Sequence, residues 1–137
     1  MNAQTQYAAP LGRVLISLIF IIAGISKITA YSGTAGYMES HGIPGALLPA
    51  VILTELGGGI LILIGWKTQL VALLMAGFTI LTAVFFHPFW ADAAQQNAFM
   101  KNIAIAGGFL FLAANGAGIL SIDNSKCCQG GSDTDAI

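Results

Sequence analysis

Residues 46–65 read ALLPAVILTELGGGILILIG, and the fold turns on how this stretch accommodates Glu55. As a helix the run is long enough to cross a bilayer core, which takes ~20 apolar residues. Pro44, just ahead of it, suits a helix start, where its missing N–H would have had no partner. Glu55 falls near the middle. A carboxylate at that depth costs ~2.5–3.5 kcal/mol on insertion scales, so it is expected to face protein or trapped water. Ala50, Thr54 and Gly58 form a small-residue ridge at four-residue steps, a spacing that lets another helix approach closely. Glu55 lies one residue around from that ridge, which turns it toward the inside of a helix bundle.

Composition agrees. The chain has 137 residues, enough for one domain, with 56% hydrophobic and 8% charged residues, against ~25% charged in soluble domains. This is the balance of a membrane protein, with the lipid bilayer as its first partner. A net charge of −1 gives no reason to expect nucleic acid. The two cysteines, Cys127 and Cys128, are adjacent and cannot staple a fold by closing a large loop. Residues 1–30 read as a retained span and not a cleaved signal peptide. No basic residue precedes Arg13, Lys27 interrupts the small-residue end, and the apolar run is long.

Four spans are expected, at about 10–29, 46–65, 69–86 and 99–115. In the first, Arg13, Ser17, Phe20, Gly24 and Lys27 recur at three- and four-residue steps along one helix face. In the third, Ala72, Ala76, Thr79, Ala83 and His87 do the same, and in the fourth Lys101, Ala104, Gly108, Phe111 and Asn115. Trp66, Lys67 and Thr68 make a turn short enough to force antiparallel neighbours. Residues 31–43 read as a glycine-rich connection in which His41 is a solvated turn residue, and 92–97 as a polar loop. Residues 1–123 form the membrane domain, and the polar tail 124–137 is expected to be disordered. The fold expected is an all-α, up-down-up-down integral membrane four-helix bundle.

Alternation sets the depth of each polar group. Arg13, Lys67 and Asp123 fall on the side holding both termini, and Lys27, His87, Trp90 and Lys101 on the other. Glu55 lies between, about 15 Å from either end at 1.5 Å per residue, within reach of Arg13 or of Lys27. Arg13, Glu55 and Asp123 are therefore structural ion-pair candidates. Lys27, Glu55, His87, Trp90, Lys101 and Asn102 are ligand-binding candidates. A mouth of amines, imidazole and aromatics over apolar walls suits a flat headgroup such as a quinone. Haem is not expected, because His41 and His87 are both at connections. Cys127 and Cys128 are weak metal candidates, supplying half of a tetrahedral site. The sequence has no HExxH, phosphate loop or nucleophile elbow.

These marks resemble the DoxX family of small membrane proteins, over about residues 11–123. They are Arg13 with Gly24-x-x-Lys27, Gly42-x-Pro44, Glu55, Gly65, His87-x-Phe89-Trp90, Lys101-Asn102 and Gly116-x-Gly118-x-x-Ser121-x-Asp123. The resemblance implies a four-helix protein of the bacterial cytoplasmic (inner) membrane. It also implies relatives that serve thiosulfate:quinone oxidoreductases or thiol-handling systems, without supplying an agreed active site. The leading expectation is a redox-associated, quinone- or thiol-linked membrane subunit, with a partner redox enzyme and, in a homo-oligomer, a second copy of itself as candidate partners. The alternatives are a small permease or channel using Glu55, and a non-catalytic scaffold. Lysine and arginine favour the terminus side, three to two, so both termini are expected in the cytoplasm.

Overall fold

The computed structural model describes residues 3–129. The helices are α1 (Ala3–Thr29), α2 (Tyr31–Ser40), α3 (Leu48–Ile64), α4 (Thr68–Phe86), α5 (Gln96–Asn115) and α6 (Ile122–Gln129), with 3-10 turns at Gly45–Leu47 and Ala93–Gln95. No strand occurs among the described residues. Four segments are long and apolar enough to cross a membrane: Gln6–Thr29, Gly45–Ile64, Thr68–Phe86 and Ala93–Asn115. The fold is all-α, with four membrane-spanning helices.

Neighbouring spans run antiparallel, as two side-chain contacts make plain. Arg13, early in α1, reaches carbonyls at the end of α3, whereas Lys27, at the end of α1, reaches back to Glu55. The expected stripes of α1 and α4 are the faces those helices bury. Arg13, Ser17, Phe20 and Gly24 are buried in α1, and Ala72, Ala76, Thr79 and Ala83 in α4. Between the helices lies a core of Phe20, Ile62, Val71, Ala72, Met75, Ala76 and Phe109. The Phe20 and Phe109 rings meet at 5.3 Å between centroids, tilted by 51°, a favourable aromatic arrangement. Leu11, Leu15, Leu53, Leu74 and Phe111 point outward, where hydrocarbon tails are their natural solvent.

Four expectations are corrected. The polar stripe of α5 is not its packed face: Lys101, Ala104, Phe111 and Asn115 are exposed, while Ala106 and Phe109 are buried. Polar groups near a span end can reach water, so at those positions polarity is a poor guide to the interior. On α3, Ala50 and Thr54 face outward, and of the expected ridge only Gly58 makes a close approach, joined by its neighbour Gly59. A side chain on Gly58 would strike Met75, and one on Gly59 would come within 2.9 Å of Ile21 and 3.3 Å of the Ser17 carbonyl. Residues 31–40 of the expected connection are the helix α2. Its amphipathic signal is weak because glycine and polar residues dominate it, but Met38 anchors it and is buried. Finally, the expected disordered tail is helical as far as Gln129, in α6, and its residues 130–137 lie outside the described residues. Ser121 Oγ accepts from the Asn124 N–H at 3.1 Å, Asp123 stands in the first turn and Lys126 in the last. Capping and complementary end charges support even a short helix.

The α3–α4 turn has its own cause. Gly65 adopts φ 71°, and the Trp66 and Gly65 N–H groups close on Leu61 and Ile62 carbonyls at 3.1 and 3.2 Å, a glycine-terminated helix end. A side chain at Gly65 would collide with Arg13 and Ser121.

Overpacking at the α1–α3 contact should be costly. Gly59→Val is expected to destabilise the protein by about 1–3 kcal/mol, read as a lower Tm in detergent. Gly57→Ala, with open space around it, should leave Tm unchanged or raise it.

Candidate functional site

The polar residues separate into a structural clasp at one end and a cavity toward the other. The clasp begins with Arg13, 2% exposed. Its guanidinium donates to the carbonyls of Ile62 at 3.3 Å, Leu63 at 3.1 Å and Leu120 at 2.8 Å. The last carbonyls of a helix have no intrahelical donor, and Arg13 supplies one to α3 while tying in the segment after α5. Asp123 completes the clasp. Its Oδ1 accepts from the Lys67 N–H and its Oδ2 from the Thr68 N–H, both at 2.8 Å, satisfying open donors at the start of α4 and meeting the positive end of its dipole. The Asp123 N–H donates to Gly65 at 2.9 Å. Burial alone would push the Asp123 carboxyl up, but the Thr68 and Lys67 N–H groups and the Lys126 charge outweigh it and hold the group below its ordinary range. The expected ion pair of Arg13 with Glu55 does not form. Arg13 sits at the level of α3's end, and the carbonyls there take all its hydrogen bonds.

Glu55 pairs with Lys27 instead. The ammonium donates to Oε1 at 3.1 Å and lies 2.9 Å from Oε2, the one carboxylate ion pair among the described residues. Glu55 is 6% exposed, and Oε2 accepts no hydrogen bond of good angle. Lys27 can do this because it ends α1 beside the middle of α3, its stem lying along the helix and its charge close to α1's negative end.

Above the pair opens a cavity of about 300 Å³. Lys27, Glu55, His87, Lys101 and Asn102 all line it, drawn from three helices and the end of α4, with apolar walls from Phe20, Val51, Phe78, Phe86 and Ile105. His87 is held by Gln95, whose Oε1 lies 2.9 Å from Nδ1. Trp90 does not join them. It is 62% exposed and packs edge-on against Phe89 and Phe99 at 5.3 and 5.9 Å, an interfacial aromatic cluster of the kind found at headgroup level.

Sequence reasoning left open that residues 31–43 fold over the bundle mouth, and read no helix in them. Helix α2 lays Thr34, Tyr37 and Met38 over the cavity. Tyr37 Oη donates to the Phe86 carbonyl at 3.3 Å, and its ring stacks on Phe86 at 5.8 Å and meets His41 at 4.4 Å. His41 thus packs against the roof's Tyr37 and against Phe86 and is only half solvated. No apolar period marks this helix, so only the tyrosine beside a glycine-rich run hinted at it. Cys127 and Cys128 fall in the last turn of α6, and their side chains lie outside the described residues. Among the described residues no cluster of three or more His, Cys, Asp or Glu side chains gathers around a metal-sized space.

The DoxX family model matches residues 8–88. This chain belongs to the DoxX family. That match takes in Arg13, Lys27, Glu55 and His87 and stops before Lys101, Asn102 and Asp123. Inner membrane protein YqjF of Escherichia coli (strain K12) is 53% identical over 111 residues, 81% of this chain and 85% of the relative. Inner membrane protein YphA of the same organism is 41% identical over 120 residues, 82% of this chain and 86% of the relative. A protein of Bacillus subtilis (strain 168) named "Putative oxidoreductase CatD" is 33% identical over 76 residues, 56% of this chain and 57% of the relative. No solved structure matches. The chain is a multi-pass protein of the bacterial inner membrane.

The clasp predicts an acid-labile end of the bundle. Asp123→Ala is expected to cost about 0.5–2 kcal/mol at neutral pH. A carboxyl depressed in the folded state lends stability above its ordinary range and loses it as pH falls through the depressed value. The Tm gap between wild type and Asp123→Ala should therefore close on acidification below about pH 4, as thermal melts in detergent would record.

Proposed function

We propose that this chain is a redox-associated membrane subunit whose cavity receives the flat headgroup of a quinone. The observation that carries this reading is the cavity of about 300 Å³ set against the Lys27–Glu55 pair. Ligand sites of about 300–1,000 Å³ typically combine apolar walls with a few convergent polar groups. Here Phe20, Phe78 and Phe86 supply faces for an aromatic ring. Lys27, Lys101, Asn102 and His87 supply groups able to meet its oxygens. A quinone ring is apolar on its faces and polar at its edges, and so is the space.

The reading also gives the buried ion pair a reason. A bundle needing only polar glue could pair its charges between helices with no cavity beside them. A cavity against the pair leaves its charges within reach of a guest. A permease is less well supported. On the far side of the cavity, Phe20, Phe109, Ile62 and Met75 are close-packed, so the polar pair ends in a dry core and not in a path toward the clasp. The oxidoreductase in the CatD name accords with redox association. On this reading a partner enzyme in the membrane or at its surface supplies or takes the electrons. Both termini are assigned to the cytoplasm, since Arg13, Lys67 and Lys126 lie on that side and Lys27 and Lys101 on the other.

Removing one member of a buried pair strands the other, at a cost of about 3–5 kcal/mol, whereas replacing both by apolar residues is often neutral. Lys27→Met and Glu55→Leu are each expected to lower Tm sharply, and the double variant to recover most of the loss. Titration of a short-tailed benzoquinone into the protein in nanodiscs then reads the function. Wild type should bind, and the refolded double variant should bind at least about tenfold more weakly. Equal binding by both would remove the pair from the site.

A further inference from the structure

The polar atoms around the cavity are unevenly divided between donors and acceptors. Three threonines line it, and each hydroxyl already donates its one proton to its own helix. Thr34 Oγ1 donates to Ala30 at 2.9 Å, Thr79 to Met75 at 2.7 Å and Thr82 to Thr79 at 2.8 Å. Tyr37 likewise donates to Phe86. What these groups leave open is lone pairs. At the floor, Glu55 Oε2 is buried, with the Lys27 ammonium 2.9 Å away but no hydrogen bond of good angle. The Lys27 ammonium beside it is already aimed at the carboxylate.

At the mouth, His87 repeats the pattern. Gln95 Oε1 accepts from Nδ1 at 2.9 Å, which keeps the proton of the neutral ring on Nδ1 and leaves Nε2 with a lone pair. Nε2 has no protein partner among the described residues. The remaining donors, Lys101 and Asn102, both enter from α5, and Lys101 is exposed. The cavity thus carries open acceptors at floor and mouth, while its donors are Lys101 and Asn102 on the α5 wall and the Lys27 ammonium, which is engaged with Glu55.

From this we infer that the site is built for the reduced, hydroxyl-bearing form of its ligand, a para-dihydroxy aromatic. The inference rests on the quinone-site reading above and deepens it. A quinone offers two carbonyl oxygens, which can only accept. A hydroquinone of the same ring offers an O–H at each end, one for Glu55 Oε2 and one for His87 Nε2. Leaving two acceptors facing two acceptors in a low-dielectric space is the arrangement buried polar groups avoid. His87 and Glu55 are the binding contacts in this account, and Gln95 is a positioning residue that acts through the His87 ring.

The test compares two soluble probes with identical substituents, trimethylhydroquinone and trimethyl-para-benzoquinone, titrated anaerobically into the full-length protein in nanodiscs. Wild type is expected to bind the hydroquinone at least about tenfold more tightly. Gln95→Lys presents an ammonium donor to Nδ1, moves the ring proton to Nε2 and should shrink that preference several-fold. Gln95→Glu, still an acceptor, should keep it. Equal or tighter binding of the benzoquinone by wild type would overturn the inference and leave the quinone site standing. A preference untouched by Gln95→Lys would overturn the part assigned to His87. Binding of neither probe would overturn the site itself, and the inference with it.

Discussion

The Lys27–Glu55 ion pair is the interaction on which this bundle depends. A carboxylate halfway along a membrane-spanning helix has no good solvent among acyl chains, so α3 must turn that side inward and keep it there. Once Glu55 faces α1, Gly59 is brought against Ser17 and Ile21, and Gly58 against Met75 of α4. The glycines permit the close approach that the charge demands. Van der Waals packing, which drives helix association where no hydrophobic effect operates between helices, then closes the core around Phe20 and Phe109.

The two ends of the bundle solve different problems. At the terminus side the problem is backbone: α3 stops at Gly65 and α4 starts three residues later, leaving carbonyls and N–H groups unpaired at membrane depth. Arg13 and Asp123 answer one set each, a cation on the carbonyl end and an anion on the N–H end, as helix dipoles favour. At the other side a cavity lies between the helices, and α2 roofs it. Both ends open on a cavity, of about 610 Å³ beside Arg13 and about 300 Å³ beside Lys27. The difference lies in the charges: Arg13 and Asp123 are taken up by backbone groups, whereas Lys27 and Glu55 face each other, and that difference is the ground for proposing function at the Lys27 side.

Much of this was legible in the sequence, and what was not has a physical reason. The stripes of α1 and α4 could be read because their polar and small residues lie deep, where only a protein neighbour can accept them. The stripe of α5 misled because Lys101 and Asn115 lie near span ends, where water serves equally well. Partner choice for Arg13 failed for a different cause. Side-chain composition advertises carboxylates, but the carbonyls of Ile62, Leu63 and Leu120 are backbone, and no residue type signals that they are open. Helix α2 escaped notice because it lies across the bundle mouth and carries no long apolar run; its fixing contacts, from Tyr37 and Met38, are tertiary. Of the candidate site, Lys27, Glu55, His87, Lys101 and Asn102 converge on one cavity and Trp90 does not, a distinction that sequence spacing around Pro88 cannot make.

The most direct test of the central claim uses the fact that the chain has two glutamates, Glu39 and Glu55. In a Glu39→Gln background, labelling glutamate carboxyl carbon and lysine side-chain nitrogen isolates Glu55 for carbon–nitrogen dipolar recoupling by solid-state NMR in lipid. The account predicts strong dephasing of the Glu55 carboxyl by lysine, lost in Lys27→Arg made without nitrogen label, as oxygen–nitrogen distances of 2.9 and 3.1 Å require. A Glu55 carboxyl that shows no lysine contact and correlates with acyl-chain protons would contradict it.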